Sequence, residues 1–427
     1  MKFNHKKMRK AKNIFANIDT ASVFLYILLI SFGWLNIYAS QYNDDTNFVI
    51  DFSSRYGKQL FFICFSLLIA FLILIIDWKF FYSLSYIFYG IIVTSLILLL
   101  IIGGVTSGAT SWFEIGNFKF QPSEFAKFAT ALALAKYFNM QHIKNKKFQT
   151  KFISYLIIII PFLLIILQND TGTALVYSSF ILVLYREGLS TNILIFFLII
   201  GILFILTLLI DKIILSIIFT VLTLAIVFFL RKNKKDIIMI LLGWILSLFF
   251  IFSVNYIFNN VLPPHQSKRI NVLLGKDFDP YGAGYNLIQS KIAIGSGGFS
   301  GKGFLNGTQT RFDFVPEQST DFIFCTIGEE WGFIGSFLFI MTFMGLVIRL
   351  IFLSERQRSN FSRIYGYSVA CILFAHFVIN LGMTIGLIPV IGIPLPFVSY
   401  GGSSLLGFTI LLFIFLNLDS YRLQILR

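Results

Sequence analysis

Long apolar segments, separated by short polar or basic links, run through almost the whole chain. A run of about 17 to 25 apolar residues is long enough to cross a bilayer as a helix. About twelve such runs occur, near residues 18–40, 58–76, 78–102, 122–139, 152–168, 171–187, 191–210, 213–230, 237–258, 321–352, 364–386 and 401–418. The pattern predicts an all-α integral membrane protein, a polytopic helix bundle. A count of ten spans stays open if part of 191–236 is merged or buried.

The basic residues lie in the links between these runs, and their positions predict an orientation. They cluster in 2–12, 144–151, 231–235, 356–363 and 422–427. Threading the runs alternately across the membrane puts every cluster on one side. Because lysine and arginine favour the cytoplasmic side, both termini are expected there. The chain then divides into a cytoplasmic tail, an N-terminal membrane bundle, a large extracytoplasmic loop, C-terminal membrane helices and a second tail, at 1–17, 18–258, 259–320, 321–418 and 419–427.

The composition agrees with a membrane protein and excludes several functional classes. Of 427 residues, 57% are hydrophobic and 13% are charged, whereas soluble domains are about a quarter charged. The formal net charge of +14 comes from basic links on one side, so it does not indicate nucleic-acid binding. Cys64, Cys325 and Cys371 lie in apolar runs, and the four histidines have no metal-ligand spacing. We expect no structural zinc site and no organic cofactor.

Three polar stretches lie outside on this threading, so chemistry is expected on that face. They are a loop at 103–121, the large loop at 259–320 and a link at 386–400. The link contains three prolines and cannot be a regular helix, because proline removes a backbone donor. Non-helical backbone at membrane depth is tolerated only against protein or water. We therefore interpret the link, with Ser399 and Ser403, as the rim of a cavity.

Polar residues open two of the predicted spans on that face. Glu124 and Lys127 are one turn apart at the start of the fourth span, where the glutamate can simply complement the helix dipole. An ionisable side chain in the membrane is expensive and usually faces a cavity or a partner, so we favour an ion pair in a cavity wall. Asp170 precedes the sixth span, and a helix cap and a cavity residue are equally good interpretations of it.

The large loop contains the remaining candidates for chemistry. Asp279 stands before Pro280 in a glycine-bounded segment. It is either a turn residue or a general base, and Asp277 is the alternative base. The neighbouring polar side chains that are candidate substrate contacts are Arg269, Gln289, Lys291 and Gln309.

A glycine-rich run at 295–303 follows, and two acidic residues lie in the next span. The run does not match a nucleotide-binding P-loop, because two motif positions hold other residues. Close approach of the backbone to a ligand or to the membrane surface is the better interpretation. Glu329 and Glu330, about 12–14 Å into that span, are as well explained by a polar contact between helices as by catalysis. His376 is interpreted as a hydrogen-bonded core histidine.

Four ordered motif blocks make the chain similar to a known family. They are Trp112–Lys127 with FQPSEFAK, Gln168–Ala174 with QNDTGTA, Arg269–Gly335 with DPYGAGY, and Asn380–Ser404 with GLIPVIGIPLPFVSYGGSS. In these blocks the chain resembles the SEDS (shape, elongation, division and sporulation) family. Residues 307–324 look more like its elongation-type members (RodA) than its division-type members (FtsW).

The chain departs from the family pattern at a few places. Ser319 stands where many members have histidine, Asn169 where proline is usual, and Thr171 where leucine is usual. The apolar runs at 191–210 and 213–230 look like a hairpin added to the family's ten-span core.

The resemblance implies an activity, a substrate and partners. SEDS proteins are peptidoglycan glycosyltransferases of the bacterial inner membrane that polymerise lipid II into undecaprenyl-linked β-1,4 glycan. Their elongation-type members maintain cell shape with a class B penicillin-binding protein and other elongation-complex proteins. The motifs imply Asp279 as the catalytic aspartate, and Glu124 and Lys127 as the cavity acid and lysine. A divalent cation, magnesium or manganese, is expected to offset the pyrophosphate leaving group. A lipid II flippase, a division-type enzyme and a scaffold are the alternatives.

Overall fold

The structure is a computed structural model of the 427-residue chain. It describes residues 17–42, 51–106, 109–115, 118–140, 148–188, 190–229, 234–260, 264–276, 279, 282 and 284–422. Parts of the basic clusters at 2–12, 144–147, 231–233 and 423–427 lie outside the described residues, and so does Asp277.

Helices account for nearly all the secondary structure. In chain order they are α1 (Thr20–Ala39), α2 (Arg55–Ile75), α3 (Trp78–Ile102), α4 (Pro122–Met140), α5 (Phe148–Leu167), α6 (Thr171–Val176), α7 (Phe180–Arg186), α8 (Thr191–Leu209), α9 (Lys212–Phe229), α10 (Lys234–Asn260), α11 (Pro264–Leu273), α12 (Tyr285–Ser296), α13 (Thr308–Arg311), α14 (Ile323–Glu355), α15 (Asn360–Ile385) and α16 (Gly402–Ser420). Within the described residues, nine are long and apolar enough to cross a membrane: α1, α2, α3, α8, α9, α10, α14, α15 and α16. The other predicted runs form α4, α5 and the pair α6 and α7. The all-α polytopic membrane fold is confirmed.

The chain forms two compact units that do not follow the sequence order. Unit 1 comprises Met1–Glu187, Gln289–Ile385 and Ile391–Arg427. Unit 2 comprises Gly188–Ile288 and Gly386–Val390. In unit 1 the late helices pack on the early ones, with α14 against α1, α15 against α4 and α16 against α2. The linear division drawn from hydropathy stays a prediction.

Helix α4 forms the centre of unit 1. It is buried at every position from Pro122 to Tyr137 except Phe125, and it packs against α3, α5, α15 and α16. Five of its buried residues are alanines, which let neighbouring helices approach closely. Because protein rather than lipid surrounds it, α4 can carry charged residues that a lipid-facing helix could not.

Unit 2 contains the two runs that look like an added hairpin. They form the consecutive helices α8 and α9, which pack with α10 through a small cluster of Leu203, Leu215 and Ile251. The indole Nε1 of Trp244 on α10 donates a hydrogen bond of 3.1 Å to Oγ1 of Thr220 on α9. The remaining apolar surface of these helices is largely exposed, as expected of helices that face lipid.

The stretch at 103–121 contains three short strands that form a small sheet, where the sequence analysis expected only a loop. Strands β1 (Gly104–Thr106), β2 (Ala109–Ile115) and β3 (Phe118–Phe120) pair antiparallel in that order. Their aromatic and β-branched residues favour strands. Glu114 faces Lys119 in register, with 2.7 Å between Oε1 and Nζ. We call the end of unit 1 that carries this sheet the sheet end.

The link at 386–400 is non-helical, as its prolines predict. None of these residues lies in a helix or strand, and Gly386, Gly392 and Phe397 have positive φ angles of 80°, 78° and 68°. The hydrophilic stretch at 259–320, in contrast, contains three helices, α11, α12 and α13.

The glycine-rich run at 295–303 packs on a break in α14. Gly332, with a φ of 62°, interrupts that helix, and the amide of Phe333 donates a 3.0 Å hydrogen bond to the carbonyl of Gly298. A Cβ atom on Gly301 would lie 2.1 Å from a carbonyl oxygen of α14. The close approach that the glycines predicted is therefore made to the protein's own backbone. We call this contact the glycine seam.

Candidate active site

Motif blocks that are distant in sequence meet at the sheet end of unit 1. The Oγ of Ser403 donates a 3.0 Å hydrogen bond to the carbonyl of Lys119, which joins the last block to the first. The amide of Tyr400 donates a 2.8 Å hydrogen bond to the carbonyl of Ser319, which joins the last block to the third. Asp170 adds the second block. This convergence makes the sheet end the candidate site within unit 1.

Asp170 is both a helix cap and a residue of this site. Its Oδ1 accepts a 3.0 Å hydrogen bond from the amide of Thr173 at the start of α6. Its Oδ2 accepts from Nε2 of Gln121 at 2.9 Å and from Oγ of Ser123 at 3.1 Å. The helix-cap interpretation is therefore confirmed, whereas the role of Asp170 as a cavity residue stays a prediction. Asn169, just before it, has a positive φ of 60°.

Glu124 and Lys127 form a buried ion pair in α4. Nζ of Lys127 lies 2.7 Å from Oε2 of Glu124, and the two residues are 1% and 2% exposed respectively. The same Nζ lies 2.9 Å from Nε2 of His376 and 4.4 Å from the ring centroid of Phe408. Because lysine has only donors, His376 accepts at Nε2, and its neutral ring then carries the proton on Nδ1. His376 is thus a buried, hydrogen-bonded histidine, but its partner was not foreseen.

The side chains of Ser399 and Ser403 connect backbone segments by hydrogen bonds. The Oγ of Ser399 donates to the carbonyl of Thr320 and accepts an amide hydrogen bond of 2.8 Å from within the link. Gln59 on α2, which the sequence analysis missed, binds the end of this link: its Nε2 donates to the carbonyl of Ser399 at 3.5 Å, and its Oε1 accepts from the amide of Gly401, just after the link, at 3.2 Å. These contacts fix the shape of the sheet end.

Glu329 organises the segment that leads into α13. Its fully buried carboxylate accepts from Nζ of Lys302 at 2.6 Å. It also accepts from the amides of Gln309 and Thr310 at 2.8 and 2.9 Å, which are donors at the start of α13. Glu329 therefore makes the structural polar contact that the sequence analysis left open. Gln309 contacts Glu329 through its backbone amide.

Arg55 is a further polar residue at the sheet end that sequence reasoning missed. Its Nη1 donates a 2.7 Å hydrogen bond to Oγ of Ser319 and lies 3.7 Å from Oε2 of Glu317. A single arginine before an apolar run resembles any interfacial basic residue, so the sequence contains no signal for this contact.

Asp279 lies in unit 2, just before α12. Its carbonyl accepts a 3.1 Å hydrogen bond from the amide of Gly284. Its carboxylate lies over Gly282, where a Cβ atom would be 2.3 Å from Oδ2. In the same unit, Nη1 of Arg269 donates a 3.1 Å hydrogen bond to the carbonyl of Val390. Arg269 therefore binds the start of the link at Val390, and its role as a substrate contact stays a prediction.

Gln289 and Lys291 lie on either side of the buried face of α12. Ser290 between them is fully buried, and its Oγ donates a 2.7 Å hydrogen bond to the carbonyl of Thr384 on α15. Gln289 is half-buried and Lys291 is exposed. Both side chains therefore remain candidate substrate contacts.

The described residues do not form a complete protein cage for the expected divalent cation. Within them, no group of three or more histidine, cysteine, aspartate or glutamate side chains is arranged to hold a metal ion. Magnesium is often held by one or two carboxylates together with substrate phosphates.

The opposite end of unit 1 is a cluster of arginines and carboxylates, which we call the arginine end. Its ion pairs are Arg349 with Asp19, Arg356 and Arg422 with Asp419, Arg363 with Glu187, and Arg186 with Glu355. The start of α1, the ends of α7, α14 and α16 and the start of α15 are therefore on one side.

Known proteins resemble the chain over most of its length. The sequence model of the FtsW/RodA/SpoVE cell cycle proteins matches residues 20–215 and 211–424. The peptidoglycan glycosyltransferase MrdB of Escherichia coli is 34% identical over 71% of this chain and 69% of its own length. The peptidoglycan glycosyltransferase RodA of Treponema pallidum is 30% identical over 91% of this chain and 94% of its own. A solved chain of a peptidoglycan synthase complex that coordinates polymerization and crosslinking covers 95% of this chain at a TM-score of 0.69 and 26% identity, over 99% of that chain.

Proposed function

Because the chain belongs to the FtsW/RodA/SpoVE family, we propose that it is an elongation-type peptidoglycan glycosyltransferase that polymerises lipid II into β-1,4 glycan. The observation that carries the proposal is the convergence of the motif blocks at the sheet end. Ser403 with Lys119, Tyr400 with Ser319, and Asp170 with Gln121 bring together segments that are 284, 81 and 49 residues apart in sequence. Gln121, Ser123 and Asp170 also form a cluster of polar side chains at this end, which packing alone does not require.

In this mechanism Asp279 is the general base. Its carboxylate removes the proton from the acceptor sugar hydroxyl, and the hydroxyl oxygen forms the new bond to the donor's anomeric carbon. The bond from that carbon to the pyrophosphate breaks, and undecaprenyl pyrophosphate leaves with the bonding electrons. Gly282 supports this role, because its missing side chain gives the carboxylate room.

The Glu124 and Lys127 pair positions the site rather than reacting. Both side chains are almost completely buried, so they act through the structure around them. Lys127 links α4 to His376 on α15 and to Phe408 on α16. Just before Glu124, Gln121 at the residue preceding α4 and Ser123 in its first turn contact Asp170. The pair therefore holds those contacts in register with the neighbouring helices.

The protein acts at the outer face of the bacterial inner membrane, with both termini in the cytoplasm. The arginine end supports this orientation, since it collects basic residues at one end of unit 1. A cysteine introduced at the exposed Lys291 should then react with a membrane-impermeant maleimide from the periplasmic side. Labelling that occurs only after the inner membrane is permeabilised would show that the protein has the opposite orientation.

A class B penicillin-binding protein is the proposed partner, with other elongation-complex proteins around the pair. The support is the likeness to a chain of a peptidoglycan synthase complex. Co-purification in mild detergent tests it. If no transpeptidase is recovered with the full-length protein, the partner proposal fails while the activity is still measurable.

The base assignment is tested by polymerisation of labelled lipid II, followed on a gel with purified full-length protein. Asp279→Asn keeps the size and hydrogen bonding of a turn residue, so we expect normal folding and a rate about 10²–10⁴-fold lower. Gly282→Ala should also lower the rate, because its Cβ would displace the carboxylate. Asp211→Asn, at the exposed turn before α9 in the same unit, is the matched control and should retain full activity.

The outcomes separate the alternatives. Near-normal polymer from Asp279→Asn would show that another carboxylate is the general base, and Asp277 would be the next residue to test. Wild-type protein that makes no polymer but moves lipid II across vesicles would favour a flippase. Polymerisation that continues unchanged in a chelator would remove the need for magnesium or manganese.

A further inference from the structure

Arg55 extends from the first turn of α2 to the third motif block. Its Nη1 contacts Ser319 at 2.7 Å and Glu317 at 3.7 Å. Ser319 is 1% exposed, whereas the side chains of Arg55 and Glu317 are 44% and 55% exposed. In the described part of the chain, Nε and Nη2 of Arg55 make no hydrogen bond to protein. One edge of the guanidinium is therefore anchored and the other remains available.

Stability does not account for this arginine. An ion pair as exposed as that of Arg55 and Glu317 contributes little to folding. A cation in the first turn of a helix is also opposed by the positive end of the helix dipole. The contacts of Arg55 therefore point to a role outside the stability of α2.

The segment that anchors Arg55 is held in a sparsely populated backbone conformation. Leu305, Asp313 and Glu317 have positive φ angles of 66°, 54° and 56°, although none is a glycine. Such residues cost free energy and cluster at functional sites. The carbonyl of Ser319 accepts from the amide of Tyr400 at 2.8 Å, which joins this segment to the proline-rich link. Arg55 thus stands beside the converging motif blocks.

We propose that Arg55 is a substrate-binding residue whose guanidinium binds the pyrophosphate oxygens of the lipid-linked substrate, with Glu317 and Ser319 as its positioning residues. The inference rests on the proposed function, which supplies a pyrophosphate. A planar guanidinium can donate two parallel hydrogen bonds to phosphate oxygens. Position 319, where many family members have histidine, here holds a serine that binds the arginine. The basic group that contacts position 319 is Arg55, at the start of α2.

The test compares variants that separate charge from scaffolding. Arg55→Gln keeps a donor for Ser319 but removes the charge. In lipid II polymerisation by the full-length protein we expect its KM to rise about 10- to 100-fold, the range for one lost hydrogen bond to a charged group, with kcat changed much less. Arg55→Lys should recover part of the loss. Arg186→Gln, an arginine in the exposed pair with Glu355 at the arginine end, is the control and should leave KM unchanged.

A second variant gives a measurement, the pH dependence of KM, that a purely structural role of Arg55 would not change. In the double variant Arg55→Gln, Ser319→His, the imidazole restores a cation only below its pKa, which is ordinarily about 6.5 and is lowered by burial at this 1% exposed position. Relative to the wild type at the same pH, its KM should therefore be near normal in mild acid and should worsen as the pH rises through that pKa. A KM ratio independent of pH, together with a KM within twofold of wild type for Arg55→Gln, overturns the proposal.

Direct binding separates this inference from the proposed function. Undecaprenyl pyrophosphate should bind the wild type more tightly than undecaprenol does, and Arg55→Gln should lose that difference. If the wild type makes no polymer but shows this preference, the glycosyltransferase assignment fails and the pyrophosphate site stands. If polymer forms and the preference persists in Arg55→Gln, the site is wrong and the function stands.

Discussion

Asn169 is a residue where the family's usual amino acid does not fit this structure. Its φ is 60° and its amide donates a 2.9 Å hydrogen bond to the carbonyl of Ile166. Proline fixes φ near −65° and has no amide hydrogen, so Asn169→Pro must rebuild the turn that places Asp170. We expect a loss of about 3 kcal/mol in the free energy of unfolding and a strong loss of polymerisation. Thermal unfolding in detergent and the lipid II assay measure both.

Asn169→Gly is the matched control, because glycine adopts positive φ without strain and keeps the amide. It should unfold within a few degrees of the wild type and stay active. A stable, active Asn169→Pro variant would show that the turn takes another conformation.

Single residues were predictable where the spacing was local. Glu124 and Lys127 are one turn apart, so a pair could be inferred from helix geometry alone. His376, which completes that cluster, is separated from Lys127 by 249 positions. Arg55 and Ser319 are 264 positions apart. Contacts of this kind depend on how the helices assemble, and no periodicity in the sequence specifies them.

At the scale of elements, the spans were predictable and the irregular pieces were not. Run length and hydropathy identify a membrane helix because lipid excludes unpaired backbone groups. The sheet at 104–120 is short and outside the apolar runs, so its polarity resembled a loop. The break at Gly332 lies within one long apolar run, where hydropathy cannot detect it.

The glycine seam gives a prediction at this scale. A Cβ atom on Gly332 would lie 2.2 Å from the amide nitrogen of Gly301, and its φ of 62° is unfavourable for alanine. Gly332→Ala should therefore force the seam apart and lower the thermal unfolding temperature by several degrees, with reduced yield. Both are measured on the purified protein in detergent.

Gly345, further along the same helix, is the matched control. A Cβ atom there would meet nothing within 4 Å, so Gly345→Ala should be neutral or stabilise by up to about 1 kcal/mol through helix propensity. Equal unfolding temperatures for the two alanine variants would mean that the seam is not closely packed in the membrane.

Across the whole molecule, the arginine end joins helices from both halves of the sequence in unit 1. Burial alone would raise the pKa of Asp19, but hydrogen bonds from Arg349 and Ser22 lower it to about 2, below the ordinary value of 3.8. Because the folded protein lowers this pKa, the stabilisation is complete above the ordinary value and is lost only as the pH falls toward 2. It should not vary between about pH 5 and 8.

Asp419 is the most deeply buried carboxylate of that end and gives the prediction at this scale. Its side chain is 0% exposed and accepts from Arg356, Gln357 and Arg422. Asp419→Ala should cost about 3 kcal/mol, the lower part of the range for breaking a buried ion pair. Glu355→Ala removes a carboxylate that is 51% exposed and should cost no more than about 1 kcal/mol. Unfolding temperatures in detergent compare the two, and a reversed order would contradict the burial difference.

The way α16 binds α2 has a consequence for how a cell makes this protein. Nδ2 of Asn417 donates to the carbonyls of Ile73 and Ile76 at 2.9 and 2.8 Å, the latter across 341 positions, and Ser403 on the same helix joins the first motif block. A ribosome releases α2 into the membrane long before α16 exists, so the carbonyl of Ile76 lacks this donor until the chain has grown by a further 341 residues. Helix α16 therefore contacts α2 at one end and the first motif block at the other, and unit 1 stays an open assembly until α16 has entered the membrane.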